Sequence, residues 1–147
     1  MTYSEFKDEL ARVKENRFII KSRLESLEKL SEEKLSMLGP GAVDYSKDRL
    51  QMSHDPDKLI IETIDRINRE AERLKESIRE LEEENRYMED LILSKKGLSG
   101  EVLRLYYIEG LMMKNVAKRL GFTEDNGWKL YRKGVRDLYE QEEAKKV

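Results

Sequence analysis

The side chains in this chain best placed to act on another molecule are cations. Lys114, Lys118, Arg119, Lys129, Arg132, Lys133 and Arg136 all fall within residues 111–139, beside only three acids, Glu124, Asp125 and Asp137, for a net of +4. The whole chain carries −2, which leaves −5 on residues 1–110 and −1 on residues 140–147. A locally basic segment on an acidic body suits contact with phosphates, the asymmetry common among nucleic-acid binders. Other chemistries lack their residues. There is no cysteine, so no thiolate and no disulfide framework. The single histidine, His54, stands near Asp55 and Asp57, and one histidine among flexible carboxylates reads as surface, not as a metal site. The segment Asp44-Tyr-Ser-Lys-Asp-Arg49 has charges and hydroxyls but no nucleophile paired with a base. We expect no metal, no cofactor and no enzymatic activity.

The basic residues need elements to present them. Val102, Leu103, Leu105, Tyr106 and Ile108 give one apolar-rich helix, and Val116, Ala117 and Leu120 give the face of a second. Gly121 supplies a tight turn, because a left-handed backbone is cheap only for glycine. Thr123 is a good N-cap for a third helix, with Leu130, Val135 and Leu138 on its inner side. Lys129, Arg132, Lys133 and Arg136 then fall on or near its outer side. Two helices joined by such a turn make a helix-turn-helix, an arrangement that places its second helix in the DNA major groove. A helix of about 15 residues fits that groove, where Lys or Arg can read guanine and Asn126 can read adenine. Lys114, Asn115 and Lys118 on the preceding helix could hold the phosphate backbone and set the angle of entry.

Residues Ser99 to Tyr139 resemble a known family. Glu101-Val-Leu-Arg-Leu-Tyr-Tyr and Val116-Ala-Lys-Arg-Leu-Gly121, with the helix after them, are similar to the C-terminal promoter-recognition domain of bacterial sigma factors. Tyr107-Ile-Glu-Gly-Leu111 and Trp128 bring the chain closer to the sigma-like phage and prophage transcription regulators of the ArpU/RinA type. The resemblance implies that the third helix is the recognition helix and that Glu124, Asp125, Asn126, Trp128, Lys129, Arg132 and Lys133 meet bases or phosphates. Glu124 and Asn126 stand where sigma factors commonly have arginine, and Gly127 where a branched apolar residue usually packs. Gly127 inside a helix costs roughly 1 kcal/mol relative to alanine. The sigma domain that melts promoters is not recognisable in this sequence.

Two long helices precede this module. Thr2 and Glu5 fit a capping box. Tyr3, Phe6, Leu10, Val13, Ile20, Leu24 and Leu27 then form one stripe, interrupted at Arg17 and continued less regularly by Leu30, Leu35 and Leu38. Gly39-Pro-Gly41 should end that helix. A polar connection spans 39–56, and Asp55-Pro56 reads as the cap and first position of the next helix. There Ile60, Ile64, Ile67, Ala71, Leu74, Ile78, Leu81, Asn85, Met88 and Ile92 step by four and three in strict alternation, a heptad seam. Asn85 at an a-type position can fix register or partner number. The seam requires a partner, either the first helix folded back or a second copy of the chain. Lys95-Lys-Gly-Leu-Ser-Gly100, with two glycines, is a hinge candidate.

The expected fold is all-α: a long antiparallel helical hairpin or coiled coil over residues 1–97, with a loop at 39–56, then a helix-turn-helix domain over 98–147. The expected function is sequence-specific binding of double-stranded DNA by a transcription regulator of phage or prophage type. RNA polymerase is a candidate partner, and a homodimer through the coiled coil is compatible. The alternatives are a coiled-coil assembly protein whose helix-turn-helix contacts protein, or a small terminase-like DNA-packaging subunit. No apolar run approaches the roughly 20 residues that span a bilayer, and the first residues lack a signal-peptide pattern, so the expected location is the cytoplasm.

Overall fold

The computed structural model describes residues 1–38 and 55–146, and among them every regular element is helical. In chain order these are α1 (Tyr3–Leu38), α2 (Asp55–Ser94), α3 (Leu98–Leu103), a wide π-helical turn (Arg104–Ile108), α4 (Met113–Leu120) and α5 (Glu124–Ala144). The expectations for Gly39-Pro-Gly41, for Asp44 to Arg49 and for His54 lie outside the described residues. At the start of α1 the Thr2 hydroxyl accepts from the Glu5 amide at 3.1 Å, which is one half of the expected capping box.

The chain folds into two compact units, Met1–Ile20 with Leu81–Val147, and Lys21–Glu80. The smaller unit is a helix pair. Ile67 and Ile78 are buried in its seam, while Leu27, Leu30, Ile60, Ile64, Ala71 and Leu74 are half-buried. Arg66 bridges to Glu33 at 3.1 Å, and Lys34 donates to Asn68 at 3.0 Å. Ser26, Lys29 and Leu30 face Glu70, Arg73 and Leu74 across a groove of about 450 Å³. Lower numbers on α1 meet higher numbers on α2, so the pair is antiparallel. Every α2 seam residue that the heptad names is at least half-buried. On α1 the stripe differs from the expected one. Leu24 and Leu35 are 51% and 66% exposed, and Arg23 and Lys34 are half-buried in their stead. Two stripes one residue apart both satisfy the three-four spacing, and the partner helix selects between them.

In the larger unit the first turns of α1 and the last turns of α2 share one core with the module that follows. Phe6, Leu10, Val13, Met88, Leu91, Ile92, Leu103, Tyr107, Val135 and Leu138 form it. Burying each such aliphatic side chain contributes roughly 1.5–3 kcal/mol. A second core, Val102, Leu105, Met113 and Val116, lies within the helix-turn-helix, and Tyr106 and Tyr131 border both cores. The compact units therefore do not divide at residue 97. In the segment 95–100, a hinge candidate by sequence, Lys96, Gly97 and Leu98 are exposed while Ser99 and Gly100 are buried, and Lys95 Nζ meets Asp137 at 3.0 Å.

Asn85 is buried within this unit. Its side-chain oxygen accepts from Asn16 Nδ2 at 2.9 Å, and its amide nitrogen donates to the Val13 carbonyl at 3.1 Å. The polar a-type position is thus satisfied within this unit by Asn16, a residue outside the sequence-predicted α1 stripe.

Candidate nucleic-acid interface

The helix-turn-helix is built on close approaches. α4 ends on Gly121 in the left-handed region, at φ +80°. Thr123 caps α5, its hydroxyl accepting from the Asn126 amide at 3.3 Å. Gly127 explains itself against α4: a Cβ there would lie 2.8 Å from Met113 Sδ. One heptad on, a Cβ at Gly134 would lie 2.9 Å from Leu103 Cδ1. These two glycines let α4 and α3 seat their side chains directly on the α5 backbone. The position read by sequence as a missing apolar side chain is filled from the neighbouring helix instead.

The helix expected over 102–108 is split. α3 stops at Leu103, and the next turn is wide, with the Glu109 amide donating to the Arg104 carbonyl at 3.1 Å and the Leu111 amide to the Leu105 carbonyl at 3.1 Å. Tyr107, absent from the expected apolar face, is 2% exposed, whereas Tyr106 is half-buried. The Tyr107 and Tyr131 hydroxyls share a hydrogen bond of 2.6 Å. Burial, then that hydrogen bond, pushes the Tyr107 phenol well above its ordinary value, and burial raises Tyr131. Both hydroxyls are held neutral, as donor and acceptor in a packed layer.

Outward from this layer lie the cations. Lys114, Asn115, Lys118 and Arg119 are exposed on α4, spaced so that 114 with 118, and 115 with 119, share a face. Asp125, Asn126, Lys129, Arg132 and Lys133 are exposed on α5, on the side opposite Val135 and Leu138. Lys114, Lys118, Arg119, Lys129, Arg132 and Lys133 have no ion-pair partner among the described residues. Elsewhere in this unit Arg12, Arg17, Lys95 and Arg104 are paired with carboxylates. Unpaired cations on a preformed helical surface can neutralise phosphates without first breaking internal bridges.

Two of the expected site residues stand differently. Arg136 is exposed, but its guanidinium lies over the Tyr3 ring at 5.2 Å, which draws it toward α1. Trp128 is half-buried, edge-on to Tyr106 at 5.8 Å and to Tyr131 at 5.3 Å. Its ring belongs to the packed underside of α5, so any outward contact uses only its uncovered edge. Arg119 joins this face without being among the sequence-predicted contacts; its i,i+4 relation to Asn115 is the signal for it. Set against family models, curated proteins and solved structures, the chain finds no match.

Proposed function

We propose that this protein is a sequence-specific DNA-binding transcription regulator of phage or prophage type, with α5 as the recognition helix in the major groove. The observation that carries the reading is the set of unpaired cations on α4 and α5, presented by a packed helix-turn-helix. Lys114, Asn115 and Lys118 hold the backbone. Asn126, Lys129, Arg132 and Lys133 meet base edges and phosphates, and Asp125 faces an amino-bearing base edge. It is a binding protein, not an enzyme, and it works in the cytoplasm. Among the described residues no helix is long and apolar enough to cross a membrane.

A protein partner for the helix pair is a second element of the reading. Leu24, Leu35, Leu59 and Ile61, all in the smaller unit, are each at least half exposed. That supports contact through the coiled coil, with a second copy of the chain or with RNA polymerase. If DNA affinity were absent, the same residues would favour an assembly protein.

The test is fluorescence anisotropy of the full-length protein on a mixed-sequence duplex across a salt series. Affinity should fall steeply with salt, and Lys129→Ala with Arg132→Ala should flatten the log–log slope by about 2, one unit per phosphate contact. No salt-dependent affinity at low ionic strength would remove the DNA reading.

A further inference from the structure

We propose that Arg17, on α1, is a positioning residue for the α4–α5 face: it latches the turn from which α4 departs. The inference rests on the DNA reading above. Arg17 breaks the apolar stripe of α1, and its side chain is 40% exposed, so the seam does not demand it. Its Nε donates to the Ile108 carbonyl at 2.7 Å, and its other guanidinium arm meets Glu89 of α2 at 2.6 Å. Ile108 is the last residue of the wide turn, and carbonyls at a helical C-terminal end carry partial negative charge without an internal donor. A guanidinium is the side chain suited to such a carbonyl and a carboxylate at once, because its donors are fixed in a planar fork.

After Ile108 the chain has only Glu109, Gly110, Leu111 and Met112 before α4 begins at Met113. The latch therefore sets the entry of α4 and, through it, Lys114. One turn earlier on the same helix, Lys14 Nζ lies 3.7 Å from the centre of the Tyr106 ring, which packs against Trp128 and Tyr131 of α5. Lys14 and Arg17 thus both hold the wide turn that precedes α4 from one face of α1, and Tyr106 of that turn packs against α5. A site held this way transmits any displacement of α1 to the spacing of the cations, and selectivity for a particular duplex depends on that spacing more than bulk phosphate attraction does.

The test uses full-length wild type, Arg17→Leu and Arg17→Lys. Leucine keeps bulk and helix propensity at this partly exposed position, so the variant should keep cooperative melting. Two probes are compared, a mixed-sequence duplex and the duplex that wild type selects from a randomised pool. Arg17→Leu should keep its affinity for the mixed duplex within about twofold after allowance for one lost charge, yet lose on the order of tenfold on the selected duplex. Fluorescence of Trp128, the chain's one tryptophan, should change in the free protein. Lysine, which can satisfy one partner but not both, should recover part of the loss. Unchanged affinity for the selected duplex, or equal loss on both duplexes, would overturn the positioning role. If wild type binds no duplex, the DNA reading fails and takes this role with it. That result is distinct from the case in which wild type selects a duplex and Arg17→Leu matches it.

Discussion

At Gly127 two local forces oppose each other. Helix propensity favours alanine by roughly 1 kcal/mol, but a Cβ there would meet Met113 Sδ at 2.8 Å in a buried site. Overpacking of a filled core costs typically 1–3 kcal/mol, so it wins. Gly127→Ala should lower stability by about 1 kcal/mol in urea unfolding. Gly100→Ala should cost more, because the added carbon would sit 2.0 Å from the Lys95 carbonyl oxygen, which is backbone and cannot swing aside. A stabilised Gly127→Ala would mean that Met113 has room to move. The sequence showed that Gly127 was unusual in a helix; only the neighbouring helix explains it. Thr123, by contrast, was legible as a cap because capping is local.

For the long helices, the balance is between polar satisfaction and apolar packing. Asn16 and Asn85 satisfy each other in a buried setting. Replacing either one by leucine leaves its partner short of a hydrogen bond, at a cost of about 1–3 kcal/mol. Replacing both removes the demand, so the double variant should be near neutral or more stable, with a strongly non-additive cycle. Additive single effects would mean that water serves each amide separately. Asn85 was readable because it interrupts a strict heptad. Asn16 was not, because the α1 stripe allows two registers and the choice belongs to α2. The same ambiguity placed Leu24 and Leu35 in the expected seam, although both are exposed.

Across the larger unit, polar ties join segments far apart in the chain. The Tyr139 hydroxyl donates to the Met1 carbonyl at 3.0 Å, Lys95 meets Asp137, and the Tyr87 hydroxyl donates to the Glu142 carboxylate. The Tyr87 hydrogen bond, with Lys145 nearby, holds the Glu142 carboxyl below the usual carboxylate range. A carboxyl with a lower folded value stabilises the fold fully above its unfolded value, and loses that contribution as pH falls through the folded one. Tyr87→Phe should therefore melt below wild type near neutral pH, and the gap should close on acidification below about pH 4.5. A gap independent of pH would show that Tyr87 acts by packing alone. Thermal melts of both proteins from pH 7 down to 3 make the comparison.

The amino-acid sequence by itself determined the elements: two long amphipathic helices, the α2 seam, the Gly121 turn, the Thr123 cap and the exposed basic side of α5. Those features follow from periodicity and from residues acting within one or two turns, which a linear reading captures. Tertiary structure alone decided which α1 stripe faces α2 and that Tyr107 is buried beside Tyr131. It also decided that Trp128 lies in the packed layer, and that the helix-turn-helix shares a core with the start of α1 and the end of α2. Each of those depends on contacts between residues tens of positions apart, where many partners satisfy the same local pattern and only packing density chooses among them.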